Sequence, residues 1–302
     1  MYTDRDLEIM ALVARLRFLS SDQIIRFFAG LTAHEYIEQL KDKPWAFQVF
    51  LRRLHALFSH DLLTRPERQR ADLVAFGNAS LLYGISRKGA RLLKDRGISI
   101  DADLDWASQN RVTTPFLLHT VATAEIVLAF ELSCRRLGSV ELIDHAALLP
   151  FFPEETRARP RPFAISAAVR GRPGDLITVI PDRLIALKTE HTASLCAIEC
   201  DRGTMTIKRY TRKLRGYYEA WRSGLHEKTW GSPSLRVLSI APSERRLANM
   251  IAAQREIASG GSNLFCFSTL ERIAEHGALG NAWLTGKSET VSLLGDHAHA
   301  HE

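Results

Sequence analysis

The stretch Ile180–Gly203, IPDRLIALKTEHTASLCAIECDRG, decides how the second half of the chain folds. Asp182 closes one apolar run, and Glu199 and Asp201 close the next one. The side chains of LCAIECD alternate in a way that predicts a β-strand with one apolar face and one face that carries both carboxylates. If the two runs pair as strands, we expect Asp182, Glu199 and Asp201 to converge at one end of the pair.

The segments around this stretch alternate between strand and helix patterns. Apolar runs that are typical of strands occur in SVELIDHAALL, DLITVIPDRLIAL, ASLCAIECD, LRVLSIAP and NLFCFSTL. Helix patterns follow Thr114 and Pro115, Gly203 and Ser243, where the residue types favour a helix start. The order helix, three strands, helix, strand, helix, strand predicts an α/β core with a mixed sheet.

Two features of this half have alternative interpretations. Glu125 lies on the long apolar helix after Thr114, where a structural ion pair is favoured over a role in a functional site. A proline-rich segment between the first two strands carries arginines and is interpreted either as a solvated insertion or as a phosphate contact. These arginines are Arg157, Arg159, Arg161, Arg170 and Arg172.

The first third of the chain has the pattern of three helices followed by a two-stranded hairpin. Helices are predicted in DRDLEIMALVARLR, in SSDQIIRFF with Ser20 or Ser21 as the cap, and from Pro44 through PWAFQVFLRRLHALFSHDLL. A polar stretch through Asp42 separates the second helix from the third. LLTR and SLLYGI predict the strands, with the charged loop PERQRAD between them. This order predicts a winged helix-turn-helix domain.

The third helix and the wing carry polar and basic side chains where this fold presents them to DNA. They are Gln48, Arg52 and Arg53 on the helix, Arg65, Arg68 and Arg70 on the wing, and Arg87 and Lys88 after it. Contact with double-stranded DNA is favoured over solvated surface charge or the docking of another protein. The net charge of +6 and the isoelectric point of about 9.3 agree with an anionic partner.

A length of 302 residues suits two domains better than one. We predict a winged-helix DNA-binding domain at 1–97, a linker at 98–112, a core domain at 113–288 and a flexible tail at 289–302. The charged N-terminus MYTDRDLEIM lacks the apolar core of a signal peptide, and no apolar run reaches the ~18 residues of a membrane span. We therefore expect a cytoplasmic protein without a membrane partner.

The three carboxylates of the core predict metal chemistry. Asp182, Glu199 and Asp201 are the candidate ligands, and Mg²⁺ or Mn²⁺ is the cofactor that such an oxygen cluster would take. A cation there would activate water and stabilise the transition state of DNA cleavage. Cleavage sites of this kind normally contain Glu-x-Lys, whereas Asp201 stands in the place of the lysine. Lys213, at the edge of the buried stripe of the next helix, is long enough to reach back over the sheet end and is the candidate substitute.

Together these motifs resemble the replication-relaxation family of bacterial mobile-element proteins. The resemblance is carried by DRDLEIMALVARLRFLSSDQIIRFF, LYGISRKGARLL, PDRLIAL, IECDRGTMTIKRYTRKLRGYY, LSIAPSERRLANM and LFCFSTLERIAEHGALGNAW. It implies a winged helix followed by a restriction-endonuclease-like core, in a protein of plasmid or conjugative-element replication and DNA relaxation. It also implies that Glu-x-Asp at Glu199 and Asp201 is the family's own pattern and not a defect of this chain.

We expect a DNA-binding accessory or regulatory protein of a plasmid or conjugative element. The alternative is a Mg²⁺-dependent nuclease or nickase in which Asp182, Glu199, Asp201 and Lys213 are catalytic. A lesser alternative is a docking subunit of a DNA-processing complex. The expected partners are double-stranded DNA, other DNA-processing proteins and a second copy of the chain.

Overall fold

The computed structural model describes residues 2–43, 45–67, 80–98, 111–171, 174–258 and 262–294. The chain forms two compact units, Met1–Leu128 and Ala129–Glu302. Helices and strands occur in both units, so the α/β class expected from the sequence is confirmed. The predicted domain boundaries stay predictions. Arg68, Arg70 and Arg172 lie outside the described residues, as do most of the predicted linker and tail.

The first unit consists of helices around a small sheet. In chain order it contains α1 (Asp4–Leu16), β1 (Leu19–Ser20), α2 (Ser21–Ala29), α3 (Ala33–Asp42), α4 (Gln48–Ser59), β2 (Leu63–Thr64), β3 (Leu82–Ile85), α5 (Arg87–Asp95) and the beginning of α6 (Thr114–Leu137). The strands are antiparallel in the order β1-β3-β2. Apolar side chains of α1, α2 and α4 pack with the sheet in one core, where Ile9, Ile24 and Leu54 are fully buried.

Capping residues set where the first three helices begin. Thr3, Ser20 and Thr32 each accept a hydrogen bond from the backbone N–H three residues later. The side chain at that later position in turn accepts a hydrogen bond from the backbone N–H of the capping residue. Such a capping box satisfies N–H groups that the first turn leaves without helical partners. The predicted cap at Ser20 is therefore confirmed.

Several predictions for the first unit are wrong in detail. The polar stretch that ends at Asp42 is the helix α3, whose buried residue is Tyr36, so its amphipathic signal is weak. The next helix, α4, begins at Gln48 and not at Pro44. Its residue Leu51 is 37% exposed. The strand β1 is an addition, because two residues are too few for a periodic signal.

The second unit is built on a mixed sheet. After the end of α6 it contains β4 (Glu141–Ile143), α7 (His145–Leu148), α8 (Glu154–Arg157), β5 (Ile165–Ala168), β6 (Leu176–Val179), β7 (Arg183–Lys188), β8 (Ala193–Cys200), α9 (Ile207–Arg222), α10 (Leu225–Trp230), β9 (Leu235–Ala241), α11 (Glu244–Arg255), β10 (Phe265–Thr269), α12 (Leu270–His276), β11 (Trp283–Thr285) and β12 (Thr290–Val291). Among the described residues, seven strands form one sheet in the order β12-β11-β10-β9-β8-β7-β4. The strand β9 is parallel to β8 and β10, and the other neighbours are antiparallel. A separate antiparallel hairpin consists of β5 and β6.

The run DLITVIPDRLIAL is two strands and not the single strand that the sequence predicts. The first, β6, ends at Val179, and the second, β7, begins at Arg183 with Pro181 between them. Because proline has no N–H to donate to a strand ladder, the chain can leave one sheet there and enter another. Asp182 therefore lies at the start of β7 instead of closing a strand. Since β7 is antiparallel to β8, Asp182 still lies beside the end of β8.

The proline- and arginine-rich segment is also more ordered than expected. The sequence predicts a basic loop between the first two strands of the core. The structure instead places α8 and the strand β5 in this segment, and β5 pairs with β6 over four residue pairs. Arg157, Arg159, Arg161 and Arg170 are exposed.

The helix α9 carries the buried stripe that its sequence predicts. Tyr210, Leu214 and Tyr217 are buried, whereas Trp221 at the end of the stripe is 39% exposed. Gly216 allows α9 to approach the β5–β6 hairpin closely, because a Cβ atom there would lie 2.6 Å from a methyl carbon of β6. The position of α9 in the core is therefore fixed by packing on the hairpin as well as on the sheet.

The turn between β8 and α9 contains Gly203. Gly203 has a φ of +75°, a conformation that side chains with a Cβ atom rarely adopt. The capping residue of α9 is Thr206, which accepts a hydrogen bond from the N–H of Arg209. The helix consequently begins at Ile207.

The helix α6 is long and apolar enough to cross a membrane by length and composition alone. Ile126, Val127 and Phe130 of this helix are fully buried, although less than half of its apolar window is. Glu125 forms an ion pair with Arg26 at 2.6 Å. Burial alone would raise the pKa of Glu125, but the hydrogen bonds and charge of Arg26 lower it below its usual value. The structural interpretation of Glu125 is therefore confirmed.

Candidate functional site

Two neighbouring strands and one helix bring the core site residues together. Glu199 is the last residue but one of β8, and Asp182 directly precedes β7. The N–H of Asp182 donates to the carbonyl of Ile198 at 3.0 Å, and its Oδ2 accepts from the N–H of Cys200 at 2.8 Å. These backbone bonds hold Asp182 beside the end of β8. The helix α9 then brings Lys213 back over the same sheet edge.

Asp182 and Glu199 share one ammonium group. Lys213 Nζ forms an ion pair with Glu199 Oε2 and lies 3.9 Å from Asp182 Oδ1. Tyr217, one turn further along α9, donates its hydroxyl to Glu199 Oε1. The side chain of Glu199 is 6% exposed, and those of Asp182 and Lys213 are 19% exposed each. We call Asp182, Glu199, Lys213 and Tyr217 the Lys213 cluster; two carboxylates meet a single cation in it, largely away from water.

Burial controls protonation in the Lys213 cluster. It raises the pKa of Glu199 to about 7, although Lys213 acts in the opposite direction. Burial by itself would lower the pKa of Lys213, but the charges of Glu199 and Asp182 outweigh it and raise this pKa. Burial and the charge of Glu199 raise the pKa of Tyr217 well above its usual value. Glu199 therefore changes charge near neutral pH.

Asp201 has a basic partner of its own. Arg246, in the first turn of α11, binds Asp201 Oδ2 at 2.6 Å, and the side chain of Asp201 is 5% exposed. Asp201 Oδ1 accepts from the N–H of Gly203 at 2.6 Å, and Arg246 also donates to the carbonyl of Met205 at 2.7 Å. The contacts of the three candidate carboxylates thus fall into two groups, one around Lys213 and one around Arg246. The second group also ties the turn before α9 to α11.

These carboxylates do not fit a divalent cation as they are arranged. Mg²⁺ takes about six oxygen ligands in near-octahedral geometry, counting its waters. Within the described residues, no three His, Cys, Asp or Glu side chains form a group that could hold a metal ion. Lys213 contacts Asp182 and Glu199, and Arg246 contacts Asp201. A Mg²⁺ or Mn²⁺ site on these residues stays a prediction.

The predicted DNA-contact residues of the first unit differ in the exposure and the contacts of their side chains. Gln48 and Arg52 are exposed on α4, one turn apart, and His55 continues the same face. Arg87 and Lys88 are exposed at the start of α5, where Lys88 Nζ also donates to a backbone carbonyl at 2.8 Å. Arg68 and Arg70 cannot be placed, because they lie outside the described residues.

Arg53 and Arg65 are engaged inside the first unit. Arg53 forms an ion pair with Asp6, whose side chain is fully buried. The guanidinium of Arg65 lies 4.1 Å from the centre of the Phe58 ring and donates to the hydroxyl of Tyr83 at 3.1 Å. A cation over an aromatic face is attracted to it, which holds Arg65 in place, and Arg53 compensates the buried charge of Asp6. Their contact with DNA stays a prediction.

Arg246 is the site residue that the sequence reasoning misses. A signal for it exists in the segment PSERR, which directly follows β9 and supplies Ser243 as the cap of α11. Because β8 and β9 are parallel neighbours, their carboxyl ends meet at the same edge of the sheet. The strand pairing, which no local pattern reveals, is what identifies Arg246 as the partner of Asp201.

Comparison with known proteins gives one match. A family model described as replication-relaxation matches residues 10–234, which is more than half of the chain. The matched region contains Asp182, Glu199, Asp201 and Lys213, and it ends before β9 and Arg246. No curated protein and no solved structure matches the chain.

Proposed function

The chain belongs to the replication-relaxation family, as its motifs indicate, and we propose that it is a double-stranded DNA-binding accessory or regulatory protein. Its DNA would be that of a plasmid or conjugative element during replication or relaxation. Such DNA lies in the cytoplasm, so we place the protein there. In this proposal the first unit is a winged helix, and the second is a restriction-endonuclease-like core that binds without cutting.

The order of elements in the first unit supports a winged helix. In that fold a helix pair is followed by a hairpin whose loop forms the wing. Here α4 leads directly into β2, and β3 returns between β2 and β1. This order supports α4 as the recognition helix of the proposed winged helix. The helix α3 is an addition between α2 and α4.

The observation that carries the proposal is the exposed face of α4. Gln48, Arg52 and His55 lie on this face, and Val49 beside them is 65% exposed. Amide and guanidinium groups can form bidentate hydrogen bonds with base edges, and an apolar side chain can contact a thymine methyl group. A single helix that presents all three kinds of side chain suits a major groove, which is about 12 Å wide.

Charge pairing in the core supports binding over cleavage. A cutting site needs carboxylate oxygens available to a metal ion. In this chain the Lys213 ammonium and the Arg246 guanidinium already contact these carboxylates. Each basic residue therefore offsets the negative charge of a carboxylate, which would otherwise attract a metal cation. Such a core is suited to binding without metal-dependent cleavage.

The proposal is tested by the salt dependence of binding to a fluorescent DNA duplex. Each phosphate contact contributes about 0.9 to the slope of log affinity against log salt. We expect Arg52→Gln to reduce this slope by about one unit if Arg52 contacts phosphate, or to reduce sequence preference if it contacts a base. The matched control is Lys41→Gln on α3, an exposed lysine that pairs with Glu38. Salt-independent binding, or an equal effect of both variants, would refute DNA contact through α4.

A metal-dependent nuclease is the second candidate, and the contact of Lys213 with Glu199 favours it. A lysine on the helix after the strand does reach the carboxylates, as a displaced catalytic lysine would. The test is incubation of supercoiled plasmid with Mg²⁺ or Mn²⁺, beside the variant Asp182→Ala. We expect no cleavage by either protein. Cleavage by the native protein that is lost in Asp182→Ala would replace the binding proposal.

A further inference from the structure

The helix α9 presents a row of basic side chains on its outer surface. Lys208, Arg209 and Arg212 are exposed, and Arg215 is half-buried. The spacing of 208, 212 and 215 places these residues on one face of the helix. Lys213 is not part of this row, because its ammonium group contacts Glu199. The first acidic residue of α9 is Glu219, in its last two turns.

Within the chain these charges are poorly compensated. Among the described residues, no carboxylate lies within ion-pair distance of Lys208, Arg209 or Arg215. Arg212 pairs with Asp175 at 3.1 Å, in the turn between β5 and β6. The same turn carries the exposed Arg170, which adds a further positive charge from a second element. The surface therefore has a clear excess of positive charge.

The basic residues in the first turn of α9 are unfavourable for the stability of the helix. The N-terminal end of a helix carries partial positive charge, so cations in the first turn are unfavourable there. The helices α1, α2, α3 and α11 follow this rule with Asp or Glu in the first turn. The first turn of α9 has no acidic residue and instead contains Lys208 and Arg209. A local rule broken in this way is typical of a site with a function outside the helix.

The row has dimensions that suit a nucleic-acid backbone. With a rise of 1.5 Å per residue, the seven steps from Lys208 to Arg215 extend about 10 Å along the helix axis. One strand of B-DNA advances 3.4 Å per phosphate, so this length corresponds to about three phosphates. We propose that Lys208, Arg209, Arg212 and Arg215, here called the α9 surface, bind the sugar–phosphate backbone of double-stranded DNA. This second contact rests on the proposed DNA-binding function of the first unit and extends it to the core.

Two other anionic partners fit the α9 surface less well. A membrane-binding helix inserts an apolar face into the lipid, but Tyr210, Leu214 and Tyr217 of α9 are buried against the core. Proteins that bind single strands add aromatic side chains on which bases stack. The exposed positions among residues 207–215 are basic, and Trp221 lies near the far end of the helix. Duplex backbone is the partner that basic side chains alone can bind.

The test is a salt titration of duplex binding by the full chain with Lys208→Gln and Arg209→Gln combined. The expected result is a slope of log affinity against log salt that is smaller by about two units. The matched control combines Lys228→Gln and Lys287→Gln, two exposed lysines elsewhere in the same unit, and should keep the native slope. An unchanged slope in the α9 variant, or the same loss in the control, would overturn the proposal.

Three further readouts make the result specific. The thermal stability of the α9 variant should equal or exceed that of the native chain, because removing cations from the first turn relieves repulsion; a lower value would assign these residues to folding instead. Competition by single-stranded DNA that exceeds competition by duplex would also overturn the proposal.

The variant Arg52→Gln distinguishes DNA contact through α4 from DNA contact through the α9 surface. If it reduces the slope and the α9 variant does not, the proposed function stands and the α9 surface falls. If the native chain binds no DNA, the proposed function itself fails.

Discussion

The replacement Lys213→Met tests the charge balance of the core. It keeps the apolar stem of the side chain and removes the ammonium that contacts Glu199 and lies 3.9 Å from Asp182. The native Glu199 has a pKa raised to about 7, compared with a usual value of 4.5. An acid with a raised folded pKa stabilises the fold most at low pH, and this contribution is lost as pH rises towards the folded pKa.

The size of the effect follows from the same linkage. Lys213 lowers the pKa of Glu199, so removing Lys213 raises this pKa further. Above pH 7 the native protein has finished losing stability through Glu199, whereas the variant continues to lose about 1.4 kcal/mol per pH unit until its own pKa is reached. We therefore expect a small difference near pH 6 and a deficit in the variant that grows above pH 7 and is at most about 2 kcal/mol at pH 8.5. The limit is the ~3–5 kcal/mol that leaving a buried charge unpaired costs.

The assay is urea unfolding at both pH values, followed by tryptophan fluorescence. The second unit contains Trp221, Trp230 and Trp283, so its transition can be observed directly. The control is Lys228→Met, the same replacement at an exposed lysine, which should change the free energy of unfolding by less than about 0.5 kcal/mol. A deficit that is the same at both pH values, or no deficit at all, would refute the coupling of Lys213 to Glu199.

Other contacts can be tested in a similar way. Mg²⁺ should raise the melting temperature of Lys213→Met more than that of the native protein, because a bound cation would replace the ammonium lost beside Asp182 and Glu199; equal shifts would argue against this. Arg246→Met should lower the free energy of unfolding by about 3 kcal/mol by leaving the nearly buried Asp201 unpaired, whereas the exposed neighbour Arg245→Met should have little effect. Glu125→Gln should lower the melting temperature at neutral pH, and the difference should shrink on acidification. The reason is that the pKa of Glu125 is lowered in the folded protein. Its carboxylate therefore stabilises the fold at pH values above the usual pKa of 4.5, and this contribution is lost as pH falls through the folded pKa; a difference independent of pH would contradict it.

Elements with a strong local period could be predicted from the sequence. The strand β8 and the buried stripe of α9 each depend on residues within one element, and both elements are present in the structure, although Leu195–Glu199 are buried without alternation. The cap at Ser20 likewise depends on neighbours three residues away. Such features are local, because backbone geometry alone sets their spacing.

Elements that depend on distant partners could not be predicted. The strand β1 has two residues and exists only through its pairing with β3. The break at Pro181 separates β6 from β7, and their different sheets are defined by β5 on one side and β8 on the other. The helix α3 has one buried residue, so its polar sequence resembles a loop. In each case the deciding contact lies outside the segment.

The same division applies to the candidate site. The sequence by itself determined that Glu199 and Asp201 lie at the end of one strand and that Lys213 and Tyr217 lie one turn apart, since each relation belongs to one segment. Only the tertiary structure decided which charges meet. The antiparallel pairing of β7 with β8 brings Asp182 to Cys200, and the parallel pairing of β8 with β9 brings Arg246 to Asp201 across 45 residues. Coulomb attraction depends on distance in space and on burial, and both are set by the order of the strands.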